Sequence, residues 1–157
     1  MTLGSTIVPK NGSGLGSSMT VGVDYIGMSA GAVIVNDKGQ YFMAKRSADA
    51  RDDQGMWEFP GGTIKMYETR EDAAVRNVRR KYGFEVAVDD VLGVYDVVDK
   101  KAGDHWISST FRCHYISGEP QILDPKKCDE IGWFTLEEIK NLPLSRISRL
   151  NLVDITK

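Results

Sequence analysis

Cysteine and histidine are scarce in this sequence, with two of each among 157 residues. Cys113 and Cys128 belong to no C-x-x-C pair and to no His-rich run, so the spacing indicates no structural metal site. A single disulfide between them stays open at this stage. So few cysteines make a reduced, intracellular protein the default expectation, and we predict a cytoplasmic location.

Long hydrophobic runs and an excess of one charge are also missing. No stretch approaches the ~18 consecutive apolar residues of a membrane span, and no basic region followed by an apolar core opens the chain. We therefore expect neither a membrane segment nor a secretory signal. The 20 basic and 22 acidic residues give a formal net charge of −2. Because no global basic excess exists, nucleic acid is an improbable partner.

What the sequence does contain is the composition of one compact domain. Hydrophobic residues make up 41% of the chain and charged residues 27%, which is ordinary for a globular protein. Residues 1–20 are rich in Gly and Ser and have too little apolar surface to order themselves. We predict a flexible tail at 1–20 and a single domain at 21–157.

Alternating and periodic patterns predict a mixture of strands and helices. Residues 28–35 are small and apolar, as in a buried central strand, and residues 41–44 return after a turn. Residues 85–98 alternate into strands, and residues 105–116 form another. Two late helices are expected to begin after Thr135 and Ser145, which can cap them.

The most informative stretch runs from Gly61 to Phe84 and contains a well-marked helix. Thr69 and Asp72 have the spacing of an N-terminal capping pattern, and Gly83 is a typical residue just past a helix end. Apolar side chains recur at helical spacing and predict one buried stripe: Ala74, Val78 and Tyr82. The polar positions after residue 75 hold four cations and no acid, namely Arg76, Arg79, Arg80 and Lys81.

This stretch resembles the Nudix box of the MutT/Nudix family, G-x5-E-x7-R-E-U-x-E-E-x-G-U with U apolar. Gly62, Glu68 and Arg76 match the first Gly, Glu and Arg, and residues 83–84 close the motif. The run WEFPGG before it and the run CDEIGWFTLEEI after it strengthen the resemblance. The resemblance implies an α/β protein with the Nudix fold, an α/β/α sandwich around a mixed β-sheet. It also implies a structural role for Glu68 and Arg76, which pair in the family and shape the loop.

Three glutamate positions of the box hold Asn77, Arg80 and Lys81 instead. In the family those glutamates hold a divalent metal that bridges the substrate phosphates. Arg and Lys carry no acceptor oxygen, and unit charges at ~4 Å interact by roughly 4 kcal/mol near a protein surface. We therefore expect no metal at the box and a direct phosphate site at Arg80 and Lys81, with Asn77 and Gly62 beside it. A decayed box with a solvated basic face is an equal alternative.

Two further residues are weaker candidates for substrate contacts. Arg46 ends a strand that lies near the substrate in the family, although a solvated strand end is the simpler interpretation. Trp106 shares one predicted strand face with Ser108, Thr110, Arg112 and His114, and it could stack on a base. An exposed sheet face with one surface Trp is slightly favoured.

No catalytic acid can be assigned firmly. In several Nudix enzymes an acid from a late loop assists the metal, and Glu130 or Asp129 would be that acid here. Other carboxylates could serve as displaced metal ligands: Glu58, Glu71, Asp72 and Glu119.

Three functions follow from these observations. The first is a protein that binds a nucleoside di- or triphosphate, or a nucleotide-linked compound, with weak or lost Mg²⁺-dependent hydrolysis. The second is an active Nudix hydrolase that uses displaced ligands and Mg²⁺ or Mn²⁺. The third is a non-catalytic interaction module, which ranks below the others because basic and aromatic residues are not interleaved. The resemblance also implies a possible homodimer.

Overall fold

The computed structural model describes residues 18–157. The tail predicted for residues 1–20 therefore lies, up to residue 17, outside the described residues. The described part contains, in chain order, β1 (Gly27–Val35), β2 (Tyr41–Arg46), β3 (Trp57–Glu58), β4 (Gly61–Thr63), α1 (Arg70–Tyr82), β5 (Glu85–Asp99), β6 (Asp104–Ser117), β7 (Cys128–Phe134), α2 (Leu136–Lys140) and α3 (Arg146–Ile155).

The strands form one mixed sheet in which β1 is central. The order across the sheet is β3-β2-β1-β6-β5, while β4 also pairs with β1 and β7 with β2. β1 and β6 are parallel, from Gly27 opposite Trp106 to Val35 opposite His114. All other strand pairs are antiparallel. The antiparallel β4 brings the Gly61–Gly62 turn against Ala30 and Gly31 of β1.

Both faces of this sheet are covered by helices. Successive side chains of a strand point to opposite faces, so Ala32 and Ile34 of β1 join the cluster packed under α1, whereas Val33 joins the opposite cluster. The second cluster contains Ile139 of α2 and is flanked by Leu152 of α3. The predicted α/β/α sandwich around a mixed sheet is thereby confirmed.

The sequence-based boundaries differ from the structure in one respect. The region predicted as several strands at 85–98 is one continuous strand, β5, which pairs with β6 through three register shifts. Bulges absorb the residues that break the alternation. Cys113 and Cys128 are both buried free thiols. No helix among residues 18–157 is long and apolar enough to cross a membrane.

Candidate functional site

Helix α1 begins and ends where its capping residues place it. The Thr69 hydroxyl accepts a hydrogen bond from the Asp72 N–H, and Gly83 adopts the left-handed conformation with φ 73°. The Gly83 N–H still donates to the Arg79 carbonyl, and glycine adopts the left-handed conformation without the strain that a Cβ would cause. The buried stripe contains Ala73, Ala74, Asn77, Val78 and Tyr82. This packing directs the side chain of Lys81 toward the Gly61–Gly62 turn of β4.

A charged pair fixes the loop before α1. The Arg76 guanidinium donates to both carboxylate oxygens of Glu68, at 2.6 and 2.9 Å, and to the Thr63 carbonyl at 2.9 Å. Glu68 also accepts from the Lys65 N–H at 3.0 Å. These contacts, led by the Arg76 hydrogen bond, lower the pKa of Glu68 to about 2. The pair therefore ties residues 63–68 to the middle of the helix.

Asn77 packs against the Gly61–Gly62 turn and is buried. It is only 1% exposed, and its Oδ1 accepts weakly from Arg76 and Arg80 at 3.5 and 3.4 Å. Its Nδ2 has no partner among the described residues. A Cβ on Gly62 would come within 2.4 Å of the Asn77 Oδ1, so only glycine allows this approach. Asn77 is therefore not placed for the direct substrate contact that we expected of it, because Gly62 lies against its amide.

An open cleft of about 330 Å³ lies beside this turn. Its walls come from the end of α1, the Gly61–Thr63 strand, the loop after β2, the start of β6 and the start of α3. The predicted residues Gly62, Arg80, Lys81, Arg46 and Trp106 all line the cleft. The fold thus brings five of the six predicted substrate-binding residues to one place.

Lys81 reaches into this cleft and is partly buried. Its Nζ donates a hydrogen bond to the Gly61 carbonyl. Burial is the main cause that lowers the pKa of Lys81 below 10.5, and the charges of Arg80, Arg46 and Lys127 add to it. Glu58 opposes the shift. Lys81 therefore does not belong to a solvated face.

The acids on the cleft wall are mostly neutralised by two arginines. Arg46 pairs with Asp52 at 2.5 Å and with Glu58 at 2.9 Å. Arg146, the first residue of α3, pairs with Asp52 at 3.1 Å and Asp53 at 3.3 Å. Arg146 also holds Asp99 and Asp104 of the β5–β6 connection. Arg46 therefore forms ion pairs with two carboxylates. The interpretation of Arg46 as a solvated strand end, which we favoured, is wrong.

Three cations on the lining have no carboxylate within ion-pair distance among residues 18–157. We call them the cation cluster: Arg80, Lys81 and Lys127. Asp124 is the one lining acid of the described chain that lacks an ion-pair partner. The unbalanced charge in the cleft is therefore positive, which favours an anionic ligand.

The candidate catalytic acids mostly lie elsewhere. Asp129 and Glu130 are on β7 outside the cleft lining, and Glu130 pairs with Lys45 at 3.3 Å. Glu71 and Asp72 are exposed in the first turn of α1, and Glu119 is exposed beyond β6. Among these candidates only Glu58 lines the cleft. No group of three or more His, Cys, Asp or Glu among the described residues is arranged to hold a metal.

Trp106 is not a surface residue, so the interpretation that we slightly favoured is wrong. It is 9% exposed, and a Cβ on Gly22 or Gly27 would fall 2.3–2.7 Å from its indole ring. Two backbone segments therefore pack directly on the indole. The Arg51 guanidinium lies over the ring, with Cζ 4.5 Å from the centroid.

The sequence interpretation missed several lining residues. Arg51, Asp52 and Asp53 lie in a charged loop with no recognisable spacing, and Lys127 lies in the turn before β7. Arg146 looked like an ordinary helix start. The positive φ of 47° at Asp53, unusual for a residue other than glycine, is visible only in the structure.

Comparison with known proteins agrees with this architecture. The NUDIX domain model matches residues 26–153. A crystal structure of a MutT NUDIX hydrolase from Burkholderia pseudomallei is 31% identical, covers 83% of this chain and 98% of its own, and superposes with a TM-score of 0.73. A MutT-like protein of Streptomyces ambofaciens is 27% identical over 81% of this chain and 75% of its own length. An ADP-ribose pyrophosphatase of Methanocaldococcus jannaschii is 34% identical over 57% of this chain and 52% of its own.

Proposed function

This chain belongs to the Nudix family, and from that premise we propose that it binds a nucleotide through its own cations, with little or no metal-dependent hydrolysis. The ligand class is a nucleoside di- or triphosphate, or a compound linked through such a diphosphate. The observation that carries the proposal is the Lys81 ammonium, which faces the Gly61 carbonyl in a cleft whose unpaired charge is positive.

The residues at the box do not fit a divalent cation. Mg²⁺ takes hard oxygen ligands, usually one or two carboxylates together with substrate phosphates. Positions 80 and 81 offer cations, and the amide of Asn77 is buried behind Gly62. The lysine ammonium already donates a hydrogen bond to the Gly61 carbonyl of this wall. We infer that a tethered cation takes over the charge-balancing role of the metal.

Phosphate recognition is chemistry that these side chains perform well. Arg binds phosphate through two parallel hydrogen bonds, and Lys binds it as a point charge. Arg80 is exposed and makes only a long hydrogen bond of 3.4 Å to the Asn77 Oδ1, whereas Lys81 is held in place by Gly61. Neither group can activate a water molecule as a bound metal does. The name of the M. jannaschii relative, an ADP-ribose pyrophosphatase, supports a nucleoside diphosphate derivative as the ligand class.

Calorimetry with ADP, ATP and UDP tests the proposal directly. We expect binding without Mg²⁺, no gain when Mg²⁺ is added, and weaker binding as NaCl rises from about 50 to about 500 mM, because salt screens exposed charges. Wild-type protein that binds none of these nucleotides would end the proposal, as would binding that requires Mg²⁺.

Neighbouring arginines of α1 provide a matched pair of variants. Arg80→Gln removes a cation from the cleft, and Arg79→Gln removes one that pairs with Glu85 outside the lining. Both change the net charge equally. Arg80→Gln should weaken ADP binding about tenfold, since a hydrogen bond to a charged group contributes ~1.5–3 kcal/mol. Arg79→Gln should change it by less than about twofold. Equal losses would indicate a long-range charge effect instead of a site.

An active hydrolase with displaced ligands is the second candidate, because Glu58 does line the cleft. Release of phosphate or of a nucleoside monophosphate from these compounds, dependent on Mg²⁺ or Mn²⁺, would establish it. A restored box, with Asn77→Glu, Arg80→Glu and Lys81→Glu together, sharpens the choice. Its melting temperature should rise with Mg²⁺, since a ligand that binds only the folded state stabilises it. Metal-dependent turnover should then exceed that of the wild type.

A further inference from the structure

The cleft has a second recognition element at some distance along the chain from the cation cluster. Arg51 lies in the loop after β2, and its guanidinium covers the Trp106 ring with Cζ 4.5 Å from the centroid. The indole cannot move away, since Gly22 and Gly27 pack against it so closely that neither tolerates a Cβ. Trp106 is therefore a rigid platform for the guanidinium.

Arg51 is also held from the side. The Arg51 Nη2 lies 3.7 Å from an Asp52 carboxylate oxygen, and Asp52 forms ion pairs with Arg46 and Arg146. Nearly half of the Arg51 side chain, 48%, remains exposed, and the residue lines the cleft. The guanidinium thus lies over an aromatic ring, while part of the Arg51 side chain stays open to the cleft.

We propose that Arg51 is the base-recognition residue and that a nucleobase stacks on the guanidinium, with Trp106 beneath it as the supporting layer. This inference rests on the proposed function and specifies its ligand: a nucleotide, in preference to an inorganic polyphosphate or a sugar phosphate. Trp106 does not contact the base itself, because backbone and Arg51 already cover its ring.

The chemistry of the two groups supports such a stack. A guanidinium is planar and weakly hydrated, and it is attracted to the electron-rich faces of aromatic rings. Stacking on Arg51 costs little conformational entropy of the Arg51 side chain, because the loop and Trp106 already hold the guanidinium. Stacking of a base on a planar side chain is strong enough to change ligand affinity measurably.

The competing interpretation makes Arg51 another phosphate cation. The two interpretations differ in which ligand loses affinity when Arg51 is replaced. Arg51→Lys keeps the positive charge and removes the planar group, whereas Arg51→Gln removes the charge and keeps a smaller planar amide. Arg51 is exposed, so neither variant disturbs the core. ADP and inorganic pyrophosphate, measured on each variant by calorimetry, separate the base from the phosphates.

Arg51→Lys should weaken ADP binding about tenfold and change pyrophosphate binding by less than about twofold. Equal losses for both probes would make Arg51 a phosphate ligand and overturn the inference. Unchanged ADP affinity would overturn it as well. Wild-type protein that binds pyrophosphate as tightly as ADP would refute the base site and leave the phosphate site intact. Wild-type protein that binds neither probe would remove the proposed function and this inference together.

Discussion

The loop before α1 and the last turn of α1 both carry charge, but they handle it in opposite ways. In the loop, Glu68 is bound by Arg76 through two hydrogen bonds and by a backbone N–H. In the last turn, Arg80 and Lys81 have no carboxylate within ion-pair distance among the described residues, and Lys81 is partly buried. One region is electrostatically satisfied, and the other leaves its charge available.

This difference separates the residues that hold the site from those that would act in it. A paired and hydrogen-bonded charge stabilises a fold, whereas a buried charge without a partner lowers its stability. The Nudix pattern is kept at Gly62, Glu68 and Arg76, which shape the wall of the cleft. It is lost at positions 80 and 81, where we propose that the wall contacts the ligand. Variants in the loop before α1 should therefore lower the free energy of unfolding. Variants in the last turn of α1 should lower ADP affinity without lowering the free energy of unfolding.

The largest expected effect comes from removing the Lys81 charge while keeping its stem. Lys81→Met leaves a similar apolar chain in the cleft, so we expect ADP affinity to fall about ten- to hundredfold. The free energy of unfolding should stay the same or rise, because the cost of burying an ammonium without a carboxylate partner disappears and offsets the lost hydrogen bond to the Gly61 carbonyl. Calorimetry and urea unfolding measure the two quantities separately.

Lys140→Met on α2 is the control for the charge change, because Lys140 lies outside the cleft lining. It should leave ADP binding within about twofold. If Lys81→Met lowered the free energy of unfolding by as much as it weakened the free energy of ADP binding, Lys81 would belong to the structural region. The two regions would then not differ as described.

The next effect falls on stability. Arg76→Ala removes both bonds to Glu68 and the bond to the Thr63 carbonyl. We expect the free energy of unfolding to drop by about 1–3 kcal/mol, since Glu68 and the Thr63 carbonyl both lose partners. Urea unfolding of the variant and the wild type measures it.

Arg79→Ala is the matched control on the same helix. Arg79 also holds a glutamate through two hydrogen bonds, at 2.6 and 2.8 Å, but that pair with Glu85 is exposed at 56% and 40%. Exposed pairs contribute ~0–1 kcal/mol, so its loss should be clearly smaller. Equal losses for the two variants would mean that the Glu68–Arg76 pair does not fix the loop.

Acid should weaken the structural region in a defined window. The pKa of Glu68 is lowered to about 2 in the fold, against 4.5 for the free group, with the Arg76 hydrogen bond as first cause. Its stabilisation is complete above the unfolded pKa and disappears as pH falls from 4.5 toward about 2. The melting temperatures of wild type and Glu68→Gln should therefore differ near neutral pH and converge in that window. A constant difference would show that ionised Glu68 contributes nothing.

Local signals made the first region predictable from sequence. Thr69 and Gly83 mark the helix ends by their own backbone chemistry, and the spacing of Gly62, Glu68 and Arg76 carries the Nudix resemblance. The mixed sheet followed from that resemblance together with the strand patterns. These features depend on residues close together in the chain, which is why a single sequence contains them.

The rest of the cleft depends on contacts that leave no local pattern. Arg146 meets Asp52 and Asp53 across more than ninety residues. The burial of Trp106 also escaped prediction, although alternation placed it correctly on one face of β6. That face is covered at Thr110, which accepts from Asn151 of α3, but is open at Arg112. Periodicity assigns a side chain to a face and cannot tell how far along the strand a helix covers it.

A titration of Lys81 gives the last expected effect, and it joins binding to stability. Burial lowers the pKa of Lys81 below 10.5, with Arg80, Arg46 and Lys127 adding to the shift. As pH rises through that pKa, the ammonium loses its charge and ADP affinity should fall. The stability of the unliganded protein should rise over the same interval, because the unfolded chain keeps more protons there. Arginine keeps its charge in this pH range, so the ADP affinity of Lys81→Arg should stay flat up to pH 10.5. If the ADP affinity of the wild type also stayed constant up to pH 10.5, the Lys81 ammonium would not contact the ligand.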